Sequence, residues 1–255
     1  MTSVQRRADR DTVMSTDPSD TPTETLAVAV AQPLVITDDL AGNAERHAEL
    51  VDRAGARVMV FPELSLTGYD LAAAVVDPND PRLAPLVEAC AATGAIALAG
   101  APTAGPDGDR LSVLAVDGAG ARAVYHKVNL GGDEPGRFRP GPGPAVIEVD
   151  GWRLGLAVCK DTGVAEHATD TAALGVDAYL AGVCEHAVDA AVVGERAQRI
   201  AATHRLWVGV ASFAGSTGEG YDPAAGGSGV WSPSAEVVDQ AGTDTGQLVG
   251  AVFVR

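Results

Sequence analysis

The chain has 255 residues, with 18 Lys and Arg against 34 Asp and Glu, so its formal net charge is −16 at pH 7. A charge of that sign and size excludes sequence-independent binding to nucleic acid phosphates or to anionic lipid. Hydrophobic residues make up 46% and charged residues 20%, which is ample for the core of a globular α/β domain at this length. Cys90, Cys159 and Cys184 are too few and too oddly numbered for a disulfide framework, so the expected location is a reducing cytoplasm.

Residues 1–25 are rich in Asp, Thr, Ser, Arg and Pro and carry no apolar run, and read as a disordered extension ahead of a folded domain over 26–255. Arg6-Arg7 is followed by Ala8-Asp9-Arg10-Asp11 rather than by the apolar segment of an export signal. No stretch approaches the roughly 18 apolar residues that span a bilayer, so no membrane partner is expected.

Leu26–Ala31 is an apolar run too short for a helix and is stopped by Gln32-Pro33, as a buried strand would be. Asp38 or Asp39 then caps a helix whose inward positions Leu40, Ala44, His47, Leu50 and Val51 recur at three to four residues, ending at Gly55. Arg57–Phe61 is the next strand, Asp80-Pro81 opens a helix that runs to Thr93-Gly94, and Ala95–Ala99 is a third strand. Leu111–Val116 and Ala121–Tyr125 are strands joined through Asp117–Gly120, a hairpin signal. A Gly- and Pro-rich loop over His126–Pro144 leads to a second hairpin, Ala145–Val149 and Trp152–Val158 around Asp150-Gly151. Strand and helix then alternate again: helix Ala165–Leu174, strand Ala178–Val183, helix Ala187–His204, strand Leu206–Ser212. Strands Gly229–Trp231, Ala235–Asp239 and Leu248–Val254 close the chain. Strand-helix units flanking hairpins imply mixed sheets covered by helices, and about a dozen strands divide more readily into two facing sheets than one.

Loops that follow strands are where α/β proteins carry reactive groups. Glu63 follows strand Arg57–Phe61, Lys127 follows strand Ala121–Tyr125, and Cys159 ends strand Trp152–Val158. A carboxylate, an ammonium and a thiol brought together would supply a nucleophile, its base and a fixed positive charge for an oxyanion, which suits acyl transfer. Each alone has a plainer reading: a small core cysteine, a turn glutamate, an exposed lysine. Cys184, beside Glu185 and His186, rivals Cys159, whereas Cys90 sits among alanines where packing explains it. A Cys184/His186 metal pair would need two further ligands, with His167 or His204 as the only prospects, and no metal is expected. No phosphate-binding glycine loop and no serine elbow is present.

The flanks of these residues carry a resemblance. Phe61-Pro-Glu63-Leu-Ser-Leu-Thr-Gly-Tyr69 resembles the glutamate motif of the nitrilase, or carbon–nitrogen hydrolase, superfamily. Tyr125-His-Lys127-Val-Asn129-Leu130, with Glu134 and Phe138-Arg-Pro-Gly141, resembles its lysine motif. Gly155-Leu-Ala-Val-Cys159-Lys-Asp161, followed by Glu166 and Ala172–Asp177, resembles its cysteine motif, and Glu195-Arg-Ala197 and Gly226-Gly-Ser228 also match.

The resemblance implies a four-layer α-β-β-α sandwich with two mixed β-sheets, no cofactor, and a homodimer. It implies Cys159 as nucleophile, Glu63 as general base and acid, Lys127 with the backbone N–H of Lys160 as oxyanion stabilisers, and Glu134 as the second glutamate, positioning Lys127 and substrate. The substrate it implies is a small amide, with nitrile hydrolysis or a non-catalytic binding protein as alternatives. Lys160 stands where relatives commonly have an aromatic residue. Its side chain either enters the pocket, to lower the thiol pKa or hold a substrate carboxylate, or faces solvent while only its N–H is used. Asn129 stands where true nitrilases have His, which tilts the expectation toward amides. With no ATP-using domain or membrane span in the sequence, a glutaminase fused to a synthetase and an N-acyltransferase are not expected.

Overall fold

In the computed structural model, which describes residues 24–255, the strand-helix alternation read from the sequence becomes four layers. Residues 1–23, including Arg6, Arg7 and nearly all of the expected extension, lie outside the described residues. The first half contains β1 (Thr25–Gln32), α1 (Leu40–Ala54), β2 (Val58–Val60), α2 (Ala84–Thr93), β3 (Ile96–Thr103), β4 (Arg110–Asp117) and β5 (Gly120–His126). The second contains β6 (Ala145–Val149), β7 (Trp152–Val158), α3 (Lys160–Gly163), α4 (Ala165–Ala173), β8 (Ala178–Val183), α5 (Ala190–His204) and β9 (Trp207–Ser212). The short β10 (Ala214–Gly215) and β11 (Ala224–Ala225) pair with each other, and β12 (Gly229–Trp231), β13 (Val237–Gln240) and β14 (Gln247–Val254) follow.

One six-stranded sheet has the order β14-β1-β2-β3-β4-β5 and the other β13-β12-β9-β8-β7-β6. Each has three parallel strands at its centre, β1-β2-β3 and β7-β8-β9, and antiparallel strands outside them, as β-α-β connections followed by hairpins require. The period of two in β1 sends Val28 and Val30 into the core between the sheets and Ala29 and Ala31 into the core under α1 and α2. Leu154, Leu156 and Val158 of β7 face the inter-sheet core from the other side, and Val193, Ala197 and Ile200 of α5 cover the outer face of the second sheet. The layers are therefore α1/α2, sheet, sheet, α4/α5, the sandwich the resemblance implied.

Local chemistry explains the boundaries. Asp39 caps α1 by accepting from the Gly42 N–H at 3.0 Å, and Gly55 ends it in the left-handed region at φ 58°. Two predicted helices begin later than expected: Pro81–Leu83 and Ala187–Asp189 are single 3-10 turns, and α2 and α5 start after them. The third strand is longer than predicted, reaching Thr103, because it pairs with β4 as far as Arg110. His47, counted among the apolar positions of α1, is buried with both ring nitrogens engaged, by the Asn43 carbonyl at 2.7 Å and the Ser65 hydroxyl at 2.9 Å. Its ring stacks on Phe61 at 4.1 Å, and burial pushes its pKa down to about 3, so it clamps the segment after β2 as a neutral group.

Candidate active site

Three strand ends converge at one edge of the inter-sheet space. After β2 the chain turns sharply: the Ser65 N–H donates to the Pro62 carbonyl and Leu64 takes the left-handed region at φ 54°. Two glycines admit this turn, one from each sheet. A Cβ on Gly100 would lie 2.2 Å from the Leu64 nitrogen, and one on Gly182 would lie 2.5 Å from the Phe61 carbonyl oxygen and 2.9 Å from the Glu63 nitrogen. Glu63 is thereby held between the sheets at 2% exposure.

Lys127 leaves β5 with its N–H on the Leu111 carbonyl, and its ammonium is 1% exposed. It donates to Glu63 Oε1 at 2.7 Å and to Glu134 Oε1 at 2.6 Å. Glu134 opens the 3-10 turn Glu134–Gly136 in the long loop, accepts from the Tyr69 hydroxyl at 2.8 Å, and takes the Gly131 N–H on Oε2 at 2.8 Å. One ammonium thus bridges two buried carboxylates. Burial raises the Glu63 pKa, the Lys127 charge lowers it and the Glu134 charge raises it, and it comes to about 7. For Lys127, burial works against the charge, but the charges of Glu63, Cys159 and Glu134 outweigh it and raise the ammonium's pKa. Glu63 Oε2 is buried with no hydrogen-bond partner among the described residues, and the nearby Cys159 thiol favours the ionised carboxylate slightly.

Cys159 joins β7 to α3 with φ 42° and ψ −99°, a conformation that only strong anchoring holds for a residue with a side chain. The anchors are visible. Its N–H donates to the Gly182 carbonyl at 3.0 Å, its carbonyl accepts from Thr162 N–H and Oγ1, and Asp161 Oδ2 accepts from the Val158 N–H at 3.0 Å. Burial pushes the thiol pKa well up, the Glu63 charge adds to the rise, and Lys127 opposes it, so the resting group is a neutral thiol. Its Sγ donates to the Cys184 carbonyl at 3.4 Å and lies 3.8 Å from Glu185 Oε1.

The other sequence candidates fall as follows. Cys184 is 1% exposed and meets the site through its carbonyl; Cys90 packs in the core under α2. The Lys160 ammonium donates to the Leu130 carbonyl at 2.7 Å, beside the loop that carries Glu134. His167 lies between Tyr125 and Tyr179, His186 stacks on Tyr221 at 4.1 Å, and among the described residues no group of three His, Cys, Asp or Glu is arranged to hold a metal ion.

The sequence reading named Glu185 only as a neighbour of Cys184 and quoted Tyr69, Asp161 and Arg196 only within motif flanks, giving none of them a role, and it did not name Tyr221. Asp161, fully buried, accepts from the Asn129 N–H and Nδ2 on one oxygen and from Tyr125 and Val158 on the other, joining the lysine loop to the cysteine turn. A charged residue two positions past a strand-end cysteine was the available signal; its remote partners, Asn129 and Tyr125, 32 and 36 positions away, were not. Glu185 pairs with Arg196 at 2.5 Å. Tyr221 lies against the Tyr69 ring at 4.9 Å, which continues the wall from His186 to Glu134.

The profile of the family described as carbon-nitrogen hydrolase matches residues 27–252. A hydrolase of Mycobacterium tuberculosis is 33% identical over 253 residues, covering 90% of each chain. A Pseudomonas protegens hydrolase is 28% identical over 242 residues, covering 90% of this chain and 83% of that one. Among solved structures, the Nesterenkonia AN1 amidase from the nitrilase superfamily superposes with a TM-score of 0.79 at 23% identity, over 91% of this chain and 92% of that one. Nit3 of Saccharomyces cerevisiae, a member of the same superfamily, superposes with a TM-score of 0.81 at 21% identity, over 91% of both chains. At these identities the two structures speak to the fold.

Proposed function

The chain belongs to the carbon–nitrogen hydrolase family of the nitrilase superfamily, and on that premise we propose that it is an amidase acting on a small non-peptide amide through a thioester on Cys159. The observation that carries this reading is the buried Lys127 ammonium, 2.7 Å from Glu63 and 2.6 Å from Glu134, beside a buried thiol whose pKa the Glu63 charge raises and the Lys127 charge lowers.

The sequence of steps follows from the charges. Glu63, with a pKa of about 7, takes the Cys159 proton as sulfur attacks the amide carbon, so the thiolate never has to persist in a site that disfavours it. The carbonyl π pair moves onto oxygen, where the Lys127 ammonium and the Lys160 N–H receive it. That N–H is the first of α3, and first-turn N–H groups have no partner within their own helix. Glu63 returns the proton to the leaving nitrogen, the C–N bond breaks, and ammonia or an amine departs from a thioester. Water, deprotonated by Glu63, then attacks the thioester carbon; the C–S bond breaks, the acid is released and the thiol regains its proton. Glu134, held by Tyr69 and the Gly131 N–H, keeps Lys127 aimed throughout.

One further observation supports amides: a mutant of the Nesterenkonia sp. AN1 amidase, a structural neighbour, is in complex with butyramide. The test offers a panel of amides, nitriles and carbamoyl compounds to the wild type and Cys159→Ala, following ammonia release and acyl adducts by mass spectrometry. Ammonia from amides with an adduct on Cys159 is expected. Turnover of nitriles alone would favour nitrile hydrolysis, and no turnover or adduct across the panel would favour a binding protein.

A further inference from the structure

A further carboxylate beside the candidate nucleophile belongs to Glu185, two residues past β8. Its Oε1 lies 3.8 Å from Cys159 Sγ and accepts from Arg196 Nη1 at 2.5 Å. The pair is built in. The Arg196 guanidinium fills the space beside Gly163, where a Cβ would stand 3.3 Å from its Cζ and Nε. The Glu185 carbonyl accepts from the Ala225 N–H at 2.8 Å, and the adjoining His186 bridges to Ala224. The Glu185 side chain keeps 17% exposure where Glu63 and Glu134 keep 1% and 2%. Among the described residues no hydrogen-bond donor reaches its Oε2.

The cations around the thiol are otherwise engaged. Lys127 is shared by two carboxylates, Arg196 by Glu185, and Lys160 by the Leu130 carbonyl. A carboxylate near the reacting carbonyl would meet the negative Glu185 oxygen, 3.8 Å from the thiol, while the described cations there are already drawn to other acceptors. An ammonium or N–H would find an acceptor already held in place, at no ordering cost to the protein.

We propose that Glu185 is a specificity-determining residue, selecting amides whose acyl chain carries an ammonium or N–H donor close to the reacting carbonyl and rejecting those with a carboxylate there. The proposal rests on the amidase reading above. A purely structural Glu185–Arg196 tie would stabilise α5 against β8 without discriminating among substrates, and the test separates the two.

The probes are 3-aminopropionamide, its neutral isostere butyramide, and succinamate, given to wild type, Glu185→Gln and Glu185→Asp. The quantity read is the ratio of kcat/KM for 3-aminopropionamide to that for succinamate, which does not depend on the fraction of folded protein. A wild-type ratio of at least about 100 is expected, reduced at least about tenfold in Glu185→Gln and largely kept in Glu185→Asp, which preserves the charge. A ratio unchanged in Glu185→Gln, or a wild type that prefers succinamate, overturns the proposal. If the wild type hydrolyses none of the three, the amide panel above decides the amidase reading on its own, and binding decides this one. Calorimetry on Cys159→Ala against Cys159→Ala/Glu185→Gln should then show 3-aminopropionamide weakened at least about tenfold by the second change. Equal affinities would sink it.

Discussion

Substituting Gly182 by Ala probes how the two sheets place Glu63. The added methyl would sit 2.5 Å from the Phe61 carbonyl oxygen and 2.9 Å from both the Pro62 carbonyl carbon and the Glu63 nitrogen. All three atoms are backbone, so no side-chain rotation relieves the overlap, and the first contact falls about 0.9 Å short of an ordinary van der Waals approach. The segment carrying Glu63 must move by a comparable amount, with the cysteine turn following through the bond from the Cys159 N–H to the Gly182 carbonyl. Overpacking of this kind costs about 1–3 kcal/mol, or about 2–12 °C in Tm for a domain of this size. A displacement near 1 Å in a reacting constellation costs on the order of 100-fold in rate. The assay is kcat/KM on the best amide of the panel, with a thermal melt alongside. Gly209→Ala is the control, since its methyl meets only the side-chain ends of Leu180 at 3.0 Å and Val30 at 3.4 Å, which can shift. Turnover of Gly182→Ala within about threefold of wild type, or an equal loss in Gly209→Ala, would refute the reasoning.

Further expectations can be checked on the same protein. With the Glu63 pKa at about 7, kcat/KM should rise with pH through about 7 as the base ionises, and Glu63→Gln should abolish that limb along with activity. The same raised pKa means the folded state keeps a proton that the unfolded state releases above about 4.5, so Glu63 lowers stability as pH rises from about 4.5 to about 7. A wild-type Tm more sensitive to that window than the Tm of Glu63→Gln checks the sign. Lys127→Met leaves two buried carboxylates facing each other; a loss of about 3–5 kcal/mol is expected at pH 7.5 or so, shrinking near pH 5 as Glu63 protonates. An equal loss at both pH values would show that charge is not the cause. Asp161→Asn turns an acceptor of four N–H and O–H groups into a mixed donor and should cost about 2–4 kcal/mol in urea unfolding, with Tyr125→Phe smaller.

Much of this protein is written locally. The period of two in β1, the Asp39 and Gly55 caps of α1, and the turn at Asp117–Gly120 are decided by neighbours in the chain, so strands and helices were legible to within a few residues. Glu63, Lys127 and Cys159 were legible as strand-end residues with recognisable flanks, because the end of a strand is a local property. The 3-10 turns ahead of α2 and α5 and the extra length of β3 were not, since pairing and packing set them. Nor could the sequence show which partners each side chain meets. Lys160 is drawn to the Leu130 carbonyl, Asn129 to Asp161, and Glu185 to Arg196 and the Cys159 thiol, across 30, 32, 11 and 26 positions of chain. The sequence alone therefore determined most of the elements and the candidate site residues. Tertiary structure decided their charges and aims, because burial and distance between remote segments set a pKa and orient a hydrogen bond, and neither is encoded by adjacent residues.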